Sequence, residues 1–423
     1  ETGQRRLSAL GLFRRTRLTS VGHGDETRRD LVVTVEEAPV TTIGYGGGVE
    51  VEPRTVRADS GAVQELQFAP RAFFETGRRN LFGKNRSVNV FTGVSVRTKP
   101  QETGTSGYGP NEYRVLGTYR EPRLFGTMAD GLLTVTVEQQ IRSSFNFARQ
   151  AFGADISRRI ARGVSLSGSY RIQRTELKDL LFEPKREDRI NIDRVFPQIR
   201  LSSFSSSTIH DTRDDVLDPG LGHYASVNGE IGGRAIGSEV GFAKSFFTAQ
   251  VFRRLPRVQR AVLATSARLG LAAGFPQLVT SVDESGTPVT TQVRDLPAAE
   301  RFFAGGDTTV RGFSLDQLGT PATIDKDGFP IGGNALVIFN AELRLPVRGG
   351  LGLVGFVDTG NVFARTTDLD LGQLRTAVGF GVRYRSPIGP VRFDVGFKVH
   401  RQNITPDRRE DLTALHISLG QAF

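Results

Sequence analysis

Apolar and polar residues alternate along most of this chain, from Thr41 to the last residues. The alternation is clearest in VRFDVGFKVH, residues 391–400, where every second residue is valine or phenylalanine and the residues between them are polar or glycine. Successive side chains of a β-strand point to opposite faces, so each such segment predicts a strand with one apolar and one polar face. Residues 378–385, 164–173 and 133–139 repeat the pattern.

The predicted strands are longer than those of a soluble β-sandwich. They run for about ten residues or more, the length that a tilted strand needs to cross a bilayer, whereas strands of globular proteins have about five or six. Turn signals separate sixteen strands, an even number, as in bacterial single-chain barrels. The sequence therefore predicts an all-β fold, a 16-stranded antiparallel transmembrane β-barrel. The strands are expected to start near residues 41, 61, 85, 112, 130, 145, 162, 194, 221, 243, 260, 333, 350, 374, 390 and 411.

Two parts of the chain depart from this pattern. Residues 4–39 read as the end of a helix followed by a two-stranded hairpin, so residues 1–39 are expected to belong to a partial α+β domain and residues 40–423 to the barrel. The connection at about 274–332 is far longer than the usual few residues, and it is rich in Phe and Gly. We expect this connection to be functional.

Composition excludes several classes of protein. The chain has no Cys, which excludes a disulfide framework, a thiolate metal site and a catalytic thiol. It has no apolar run of the roughly 18 residues that a membrane-spanning helix needs. The net charge of +10 is spread along the chain without a dense basic tract, which favours lipid headgroups or a solvated lumen over nucleic acid.

Catalytic and metal chemistry find no support in the sequence. No GxSxG motif occurs, and the five His have no evident Ser/Asp partners. The acidic residues Asp211, Asp214, Asp215 and Asp218 do not have the glycine placement of a calcium-binding EF-hand loop, so we interpret them as a polar strand-end motif. We expect no enzyme activity, no metal and no cofactor.

One cation stands in an apolar, glycine-rich stretch, RFFAGGDTTVRGFSLDQLG, residues 301–319. In the two strands that follow, the alternation places Glu342, Phe356 and Asp358 on the side facing the lumen. A charge in a confined lumen is costly unless it is paired, and the planar guanidinium can hold carboxylates through several bonds at once. We therefore expect the stretch to fold inward, so that Arg311 meets Glu342 and Asp358.

The first predicted strand, TIGYGGGVEVE, is unusually rich in glycine. Glycine weakens a strand interior. The glycines either make room for packing or a bend, or they weaken the lateral seam where the first and last strands of the barrel meet. The residues concerned are Gly44, Gly46, Gly47 and Gly48.

The C-terminal segment, LHISLGQAF, ends the chain on an aromatic residue directly after a predicted membrane strand. This arrangement is typical of a C-terminal signal of bacterial outer-membrane barrels. Its apolar face consists of Leu415, Ile417, Leu419 and Phe423.

Five motifs in this order resemble the C-terminal barrel of the BamA/TamA outer-membrane assembly family, also called the bacterial surface antigen family. They are RFFAGGDTTVRGF, GGNALVIFNAELRLP, FVDTGNVF, SPIGPVRFDVGF and a terminal GQAF. HDTRDDVLDPGLGHYASVNGE (residues 210–230) is similar to the family's mid-barrel segment, and RRNLFGKNRSVNV (78–90) to its early hairpin. Residues 4–39 resemble the second half of a POTRA domain, so the resemblance covers essentially the whole chain.

The resemblance implies two motifs that meet inside the barrel. The loop motif folds into the lumen and contacts the inward Asp of an FxDxG motif on the barrel wall. The loop motif is Val310, Arg311, Gly312 and Phe313, and the wall motif is Phe356, Asp358 and Gly360, with Glu342 beside it.

The resemblance also implies a function that is not enzymatic. Proteins of this family fold and insert other β-barrels into the bacterial outer membrane. The resemblance therefore favours the interpretation that the first-strand glycines weaken the lateral seam. The expected partners are unfolded outer-membrane β-barrel clients, outer-membrane lipids and periplasmic lipoprotein or inner-membrane accessory subunits, with the N-terminal part in the periplasm. A main assembly subunit and a TamA-like factor remain alternatives, as do a protein translocation pore of the same family and a passive porin.

Overall fold

A computed structural model gives the structure of the chain. It describes residues 7, 11–22, 29–58, 61–98, 108–178, 198–256, 261–282, 288–294, 296–386, 389–405, 408–419 and 422.

The described residues are almost entirely β-strand, with five short 3-10 helices. The strands are β1 (Phe13–Gly22), β2 (Arg29–Glu37), β3 (Thr41–Ala58), β4 (Gly61–Leu81), β5 (Arg86–Thr98), β6 (Tyr108–Glu121), β7 (Asp130–Ile141), β8 (Asn146–Ala161), β9 (Val164–Lys178), β10 (Gln198–Asp211), β11 (Gly222–Gly232), β12 (Phe242–Leu255), β13 (Ala261–Gly274), β14 (Gln277–Val282), β15 (Pro288–Val293), β16 (Ala335–Pro346), β17 (Leu351–Phe363), β18 (Arg375–Ser386), β19 (Gly389–Lys398), β20 (Asn403–Thr405), β21 (Arg408–Arg409) and β22 (Thr413–Leu419). The 3-10 helices are Leu124–Gly126, Arg234–Ile236, Ala298–Glu300, Thr366–Asp368 and Leu371–Gln373.

Sixteen of these strands form one antiparallel sheet in the order β22-β19-β18-β17-β16-β13-β12-β11-β10-β9-β8-β7-β6-β5-β4-β3. Each strand pairs with its neighbour along the chain, apart from the two-stranded sheets β14-β15 and β20-β21, which lie in connections. Every predicted strand is present, and each starts within a few residues of its expected position. The prediction of a 16-stranded antiparallel barrel is confirmed.

The alternation also predicts correctly which side chains face outward. On β17, Leu351, Leu353 and Val357 are exposed, while Phe356 and Asp358 are buried. The same division holds on β18, on β19 and on β16 from Phe339 onward, where the outward residues are mainly aliphatic or aromatic and the buried ones include Arg, Asp and Glu. The first four residues of β16 are all buried, because Ala335 and Val337 at its outward positions pack with Phe363. A soluble protein buries its apolar face, so this inverted distribution is that of a barrel with an apolar exterior and a polar lumen.

The N-terminal strands β1 and β2 form an antiparallel hairpin outside the large sheet. Two hydrogen bonds lie at its base: the guanidinium of Arg79, at the end of β4, donates to the Gly11 carbonyl at 3.0 Å, and Ala38 N–H donates to the Leu12 carbonyl at 2.8 Å. The predicted helix end before the hairpin lies outside the described residues except for Leu7. Assignment of the segment to a POTRA domain stays a prediction.

The long connection between β13 and β16 has two parts. It begins with the β14-β15 hairpin, which the sequence pattern did not predict, and continues as residues 296–334, called the lumenal loop below. The loop packs against the inward side of the sheet: Leu296, Val310 and Phe313 share one buried cluster with Ile338 of β16 and Val362 of β17.

No helix in the described residues is long and apolar enough to cross a membrane.

Candidate functional site

The lumenal loop is held by polar side chains from strands all around the sheet. Gln173 of β9 donates to the Glu300 carboxylate at 2.7 Å. Arg268 of β13 and Asn340 of β16 donate to the carbonyls of Thr308 and Thr309 at 2.6 and 2.7 Å. On the side of the first strands, the N–H of Ala62, at the start of β4, donates to the Asp327 carbonyl at 2.7 Å. The loop therefore lies within the lumen, where its apolar residues Val310 and Phe313 are buried against the wall.

Arg311 is buried at the centre of this arrangement and contacts both predicted carboxylates. Its Nε and Nη2 donate to the two oxygens of Asp358 at 2.7 and 3.0 Å, and its backbone N–H donates to Asp358 Oδ2 at 3.0 Å. Its Nη1 donates to Glu342 Oε2 at 2.5 Å. Its guanidinium carbon lies 3.6 Å from the centre of the Phe356 ring, so one face of the cation is covered by aromatic carbon.

A third carboxylate and two further cations complete the cluster. Asp394 of β19 lies 3.5 Å from Arg311 and accepts a hydrogen bond from Arg383 Nη1 at 2.6 Å. Arg383 also reaches Glu342 at 3.3 Å, and Arg344 Nε donates to the other oxygen of Glu342 at 2.8 Å. Three guanidinium groups thus meet three carboxylates, and we call these six residues the lumenal charge cluster.

The cluster has three positive and three negative groups, and this balance explains how the charges tolerate burial. Burial alone acts to lower the pKa of the Arg311 guanidinium, but the hydrogen bonds and charges of Asp358, Glu342 and Asp394 outweigh it and raise that pKa above its ordinary value. Arg311 therefore stays charged at every ordinary pH. Removing one partner of such a network would leave a buried charge uncompensated.

Glycine makes the close approach of loop and wall possible. Gly312 has φ +92°, in the region that side chains rarely adopt. A Cβ on Gly396 of β19 would lie 2.5 Å from the Gly312 nitrogen, and a Cβ on Gly312 would lie 2.8 Å from the Cβ of Ala377. The backbones of loop and wall touch at this point, and neither glycine can carry a side chain without displacing the loop.

The other residues of the two predicted motifs have packing roles. Phe313 is buried with the guanidinium of Arg375 at 4.6 Å and the ammonium of Lys398 at 5.3 Å from its ring centre. The Phe356 ring lies against Gly379 of β18, where a Cβ would come within 2.4 Å of it. At Gly360, a Cβ would lie 2.5 Å from the Val337 carbonyl oxygen, so this position tolerates only glycine without a backbone shift.

The loop is also tied to β22, the last strand of the sheet. Gly312 N–H donates to His416 Nε2 at 3.1 Å. Asp307 accepts from Arg392 of β19 at 2.6 Å, and the Nε of the same Arg392 donates to Ser418 of β22. The lumenal loop and the edge strand are therefore joined through two sets of hydrogen bonds, one on each side of Arg311 in the chain.

The first-strand glycines lie on β3, the opposite edge of the sheet. Phe73, across from Gly46 on β4, covers that glycine so closely that a Cβ would lie 2.6 Å from the ring. Nothing lies within 4 Å of a Cβ at Gly48, whereas one at Gly47 would lie 3.3 Å from the Arg71 carbonyl oxygen and one at Gly44 would lie 3.8 Å from Glu75 Cβ. Packing explains Gly46 and leaves Gly48 without such a reason.

The predicted C-terminal set is only partly described. Leu415 and Ile417 are exposed on the outer face of β22, and His416 between them is buried. Leu419 is the last residue of β22, and Phe423 lies outside the described residues.

Sequence reasoning missed several members of the site. Arg383 and Asp394 were assigned to the polar faces of their strands but not to the cluster, and His416 and Gly396 were given no role. The signal was present, because all four occupy inward positions of the strands that follow the FxDxG strand. Which inward residue reaches the loop depends on strand register and loop path, which the pattern does not contain.

The acidic segment between β10 and β11 folds across one mouth of the sheet. Asp218 accepts from Arg385 of β18 at 2.6 Å, and the Pro219 carbonyl accepts from Arg344 at 3.2 Å. Asp214 Oδ1 accepts the N–H groups of Gly220 and Leu221, each at 2.9 Å. The Asp214 carboxylate therefore stabilises the turn itself. No cluster of potential metal ligands occurs among the described residues.

Comparison of the sequence with known proteins identifies a family. The Omp85 superfamily domain matches residues 80–423. The outer membrane protein assembly factor BamA of Nitratidesulfovibrio vulgaris is 25% identical over 368 residues, which are 78% of this chain and 43% of that protein. The sorting and assembly machinery component 50 homolog A of Xenopus laevis is 30% identical over 156 residues, 36% of this chain and 28% of that protein. The chain thus spans less than half the length of either relative.

Solved structures share the architecture at low sequence identity. BamA from Haemophilus ducreyi lacking POTRA domains 1–3 superposes with a TM-score of 0.70 at 17% identity, covering 99% of this chain and 78% of that one. CdiB from Acinetobacter baumannii gives a TM-score of 0.54 at 13% identity, covering 98% and 67%. These likenesses show the fold, and the domain match spans most of the residues, so this chain belongs to the Omp85 superfamily.

Proposed function

We propose that this chain is the barrel of an insertase that folds client β-barrels into the bacterial outer membrane, the location that the family and the barrel fold indicate. Client strands would pair at the seam between β3 and β22. Strand addition satisfies backbone N–H and C=O groups that lipid leaves without partners, so the folding of the client itself supplies the driving force.

The observation that carries the proposal is the difference in length between the two edge strands, β3 and β22. β3 is 18 residues long and β22 is 7 residues long as described. Within the described part of the chain, each is hydrogen-bonded to a sheet neighbour on one side only. Pairing with the seven described residues of β22 would leave more than half of β3 without a partner there. Unpaired strand edges template further strands.

The lumenal loop supplies a second line of support. A passive porin needs an open lumen, whereas here the loop occupies the lumen and is joined to β22 through His416 and Ser418. The loop can therefore support β22 from the lumen while the unpaired backbone edge of β22 binds a client strand. A protein translocation pore would instead have to move the loop out of the lumen.

The remaining roles follow from the same proposal. The N-terminal hairpin would belong to a periplasmic POTRA domain that receives unfolded clients on its strand edge. Periplasmic lipoprotein or inner-membrane accessory subunits would bind on that side.

A seam lock tests the proposal. The chain has no Cys, so a pair of cysteines, one between Ile43 and Val49 and one between Thr413 and Ile417, forms the only disulfide possible. The pair that cross-links most completely is reconstituted in vesicles, and the rate of client barrel insertion is measured before and after reduction. We expect the oxidised form to be inactive and reduction to restore insertion.

A matched lock controls for the chemistry. Val135 of β7 and Phe152 of β8 are paired on the outer face away from the seam, and cysteines there should leave insertion unchanged. Normal insertion by the seam-locked barrel would reject strand templating at β3-β22. Protein export through a seam-locked barrel would favour the translocation pore.

A further inference from the structure

Two turns at one end of the barrel hold a phenylalanine in a conformation that this residue rarely adopts. Phe82, between β4 and β5, has φ +56°, and Phe125, between β6 and β7, has φ +52°. Both belong to a Leu-Phe-Gly sequence, and both are almost fully exposed, at 85% and 93%. A bulky residue at positive φ is strained, and such strain persists where it serves a function.

The fold of the turns does not need these aromatic rings. The first turn is closed by backbone bonds from Gly83 to Asn80 and from Lys84 to Leu81, at 3.1 and 3.2 Å. The second is closed by bonds from Gly126 to Arg123 and from Thr127 to Leu124, at 2.8 and 3.0 Å. Glycine or asparagine adopts positive φ at lower cost, so chain geometry alone would favour either of them over phenylalanine.

The two turns lie side by side at the end of the sheet from which β3 begins. Thr41, the first residue of β3, pairs with Arg78, and Ser87 of β5 pairs with Arg120 of β6. Two strand spacings separate the turns, roughly 10 Å. The first turn lies about one and a half strand spacings from the β3 edge and the second about three and a half, roughly 17 Å. The exposed side chain of Met128 belongs to the second turn.

Positive charge surrounds both aromatic rings. Residues 78–86 and 120–130 contain six cations and two carboxylates. The carboxylates are paired already: Arg86 lies 2.7 Å from Glu121, and Arg120 lies 2.7 Å from Asp130. Lys84 and Arg123 are exposed beside the two phenylalanines, which leaves an excess of positive charge at these tips.

The outer wall above the turns is apolar and continuous with them. Val88 and Val90 of β5 and Leu133 and Val135 of β7 are exposed on the face that a membrane barrel turns toward lipid. Aromatic residues at the ends of such a wall, flanked by Lys and Arg, fit the boundary between acyl chains and negatively charged headgroups.

We propose that Phe82 and Phe125 anchor the β4–β7 side of the barrel in the headgroup region of an anionic lipid leaflet. The rings enter the interface and the flanking cations bind lipid phosphates. The anchor holds the membrane surface at a fixed height beside the β3 edge. This proposal requires the membrane barrel alone and is independent of insertase activity.

The absence of Trp from the chain gives a direct test. Phe82→Trp and Phe125→Trp each place the only indole at one tip, in barrels reconstituted into phosphatidylcholine vesicles with and without phosphatidylglycerol. We expect blue-shifted emission and quenching by lipids brominated near the headgroup, stronger with phosphatidylglycerol. The gain from phosphatidylglycerol should weaken at about 1 M salt, where the screening length is ~3 Å, and in the Lys84→Gln/Arg123→Gln background.

The turn between β10 and β11 provides the matched control. Leu217 is exposed at the same end of the barrel but lies on the acidic turn that crosses the mouth. Leu217→Trp should show water-exposed emission without quenching. Equal quenching at Leu217 would mean that barrel insertion alone brings every turn to the headgroups, and it would overturn the anchor. Solvent-like emission at both tips, or a shift seen only when a protein partner is added, would overturn it as well.

A second variant separates anchoring from folding. Phe82→Asn/Phe125→Asn relieves the strained backbone, so the barrel should be at least as stable as the parent in detergent. Phosphatidylglycerol should raise the unfolding midpoint of the parent and not that of the variant. An equal rise in both would exclude a role for the rings in lipid binding.

Discussion

Arg311 and Asp358, 47 residues apart in the chain, are joined by three hydrogen bonds, two from the guanidinium and one from the Arg311 backbone N–H. The backbone bond fixes the position of the loop, and the two guanidinium bonds pair its charge. A lysine could supply the charge, but it lacks the planar fork that makes both guanidinium bonds. The pair therefore locates the loop against the wall at one point. Two further contacts hold the loop against the last strand. Gly312 N–H donates to His416, and Arg392 donates to both Asp307 of the loop and Ser418 of β22.

Arg311→Ala or Asp358→Ala should lower the stability of the barrel and impair client insertion. Arg311→Ala leaves the buried Asp358 without its guanidinium partner, and Asp358→Ala removes three hydrogen bonds from the Arg311 side chain and backbone. Breaking a buried pair in this way costs about 3–5 kcal/mol. The unfolding midpoint in detergent and the insertion rate in vesicles measure the two effects. The charge-reversed double variant should recover part of both, because the attraction returns while the fork geometry does not.

An exposed ion pair is the control for that prediction. Arg254 and Asp214 are 2.6 Å apart, but 63% and 33% of their side chains are exposed. Arg254→Ala should change stability by less than about 1 kcal/mol. Normal insertion by both cluster variants would reject a functional role of the Arg311 contact.

Gly396→Ala should displace the loop without altering any charge. The new methyl group would meet the Gly312 backbone at about the 2.5 Å found for an ideal Cβ. We expect faster proteolysis within residues 301–319 and slower insertion. Gly355→Ala on β17, the second strand from β19 in the sheet, is the control, because nothing lies within 4 Å of a Cβ there. Equal proteolysis in the two variants would show that the close approach at Gly396 does not hold the loop.

The first-strand glycines should respond differently to substitution according to their surroundings. Gly48→Ala adds a methyl group into open space and should stabilise β3 by roughly 0.5–1 kcal/mol, because glycine weakens a strand by that amount. If a weak first strand is required for function, insertion should slow although stability rises. Gly46→Ala should instead lower stability, because the Phe73 ring must move. Unimpaired insertion by Gly48→Ala would leave packing as the role of these glycines.

The turn between β10 and β11 should loosen in acid. Burial acts to raise the pKa of the Asp214 carboxyl, but the backbone N–H groups that it accepts and Arg254 outweigh it, so that pKa lies below its ordinary value. A carboxylate with a lowered folded-state pKa stabilises the fold above its unfolded pKa of about 3.9 and loses that contribution as pH falls through the folded value. Hydrogen exchange at Gly220 and Leu221 should accelerate below about pH 4 relative to the intrinsic rate.

Asp214→Asn tests the assignment of that transition. The amide keeps an oxygen that can accept hydrogen bonds but has no titrating charge. The pH dependence of exchange at Gly220 and Leu221 should then be that of the intrinsic rate, without an additional step in acid. Persistence of the step in the variant would assign it to another carboxyl, such as Asp215, which accepts the N–H groups of Leu217 and Asp218.

The amino-acid sequence by itself determined the number of strands, their approximate positions and the direction that most side chains face. The physical reason is that strand periodicity is local: a residue and its second neighbour share a face whatever the rest of the chain does. The inward direction of Glu342 and Asp358 follows from that rule alone. The need of a buried guanidinium for partners then made their meeting with Arg311 a reasonable expectation.

Only the tertiary structure decided which inward residues meet. Asp394 and Arg383 join the cluster because β18 and β19 pair in a register that sets Gly381 opposite Asp394, and the loop crosses the lumen at their height. His416 reaches Gly312 only because β22 pairs with β19. The strained Phe82 and Phe125 are likewise invisible in the sequence, since backbone φ is set by how each turn closes between two paired strands. Contacts between residues far apart in the chain depend on register and loop path, and local periodicity carries no information about either.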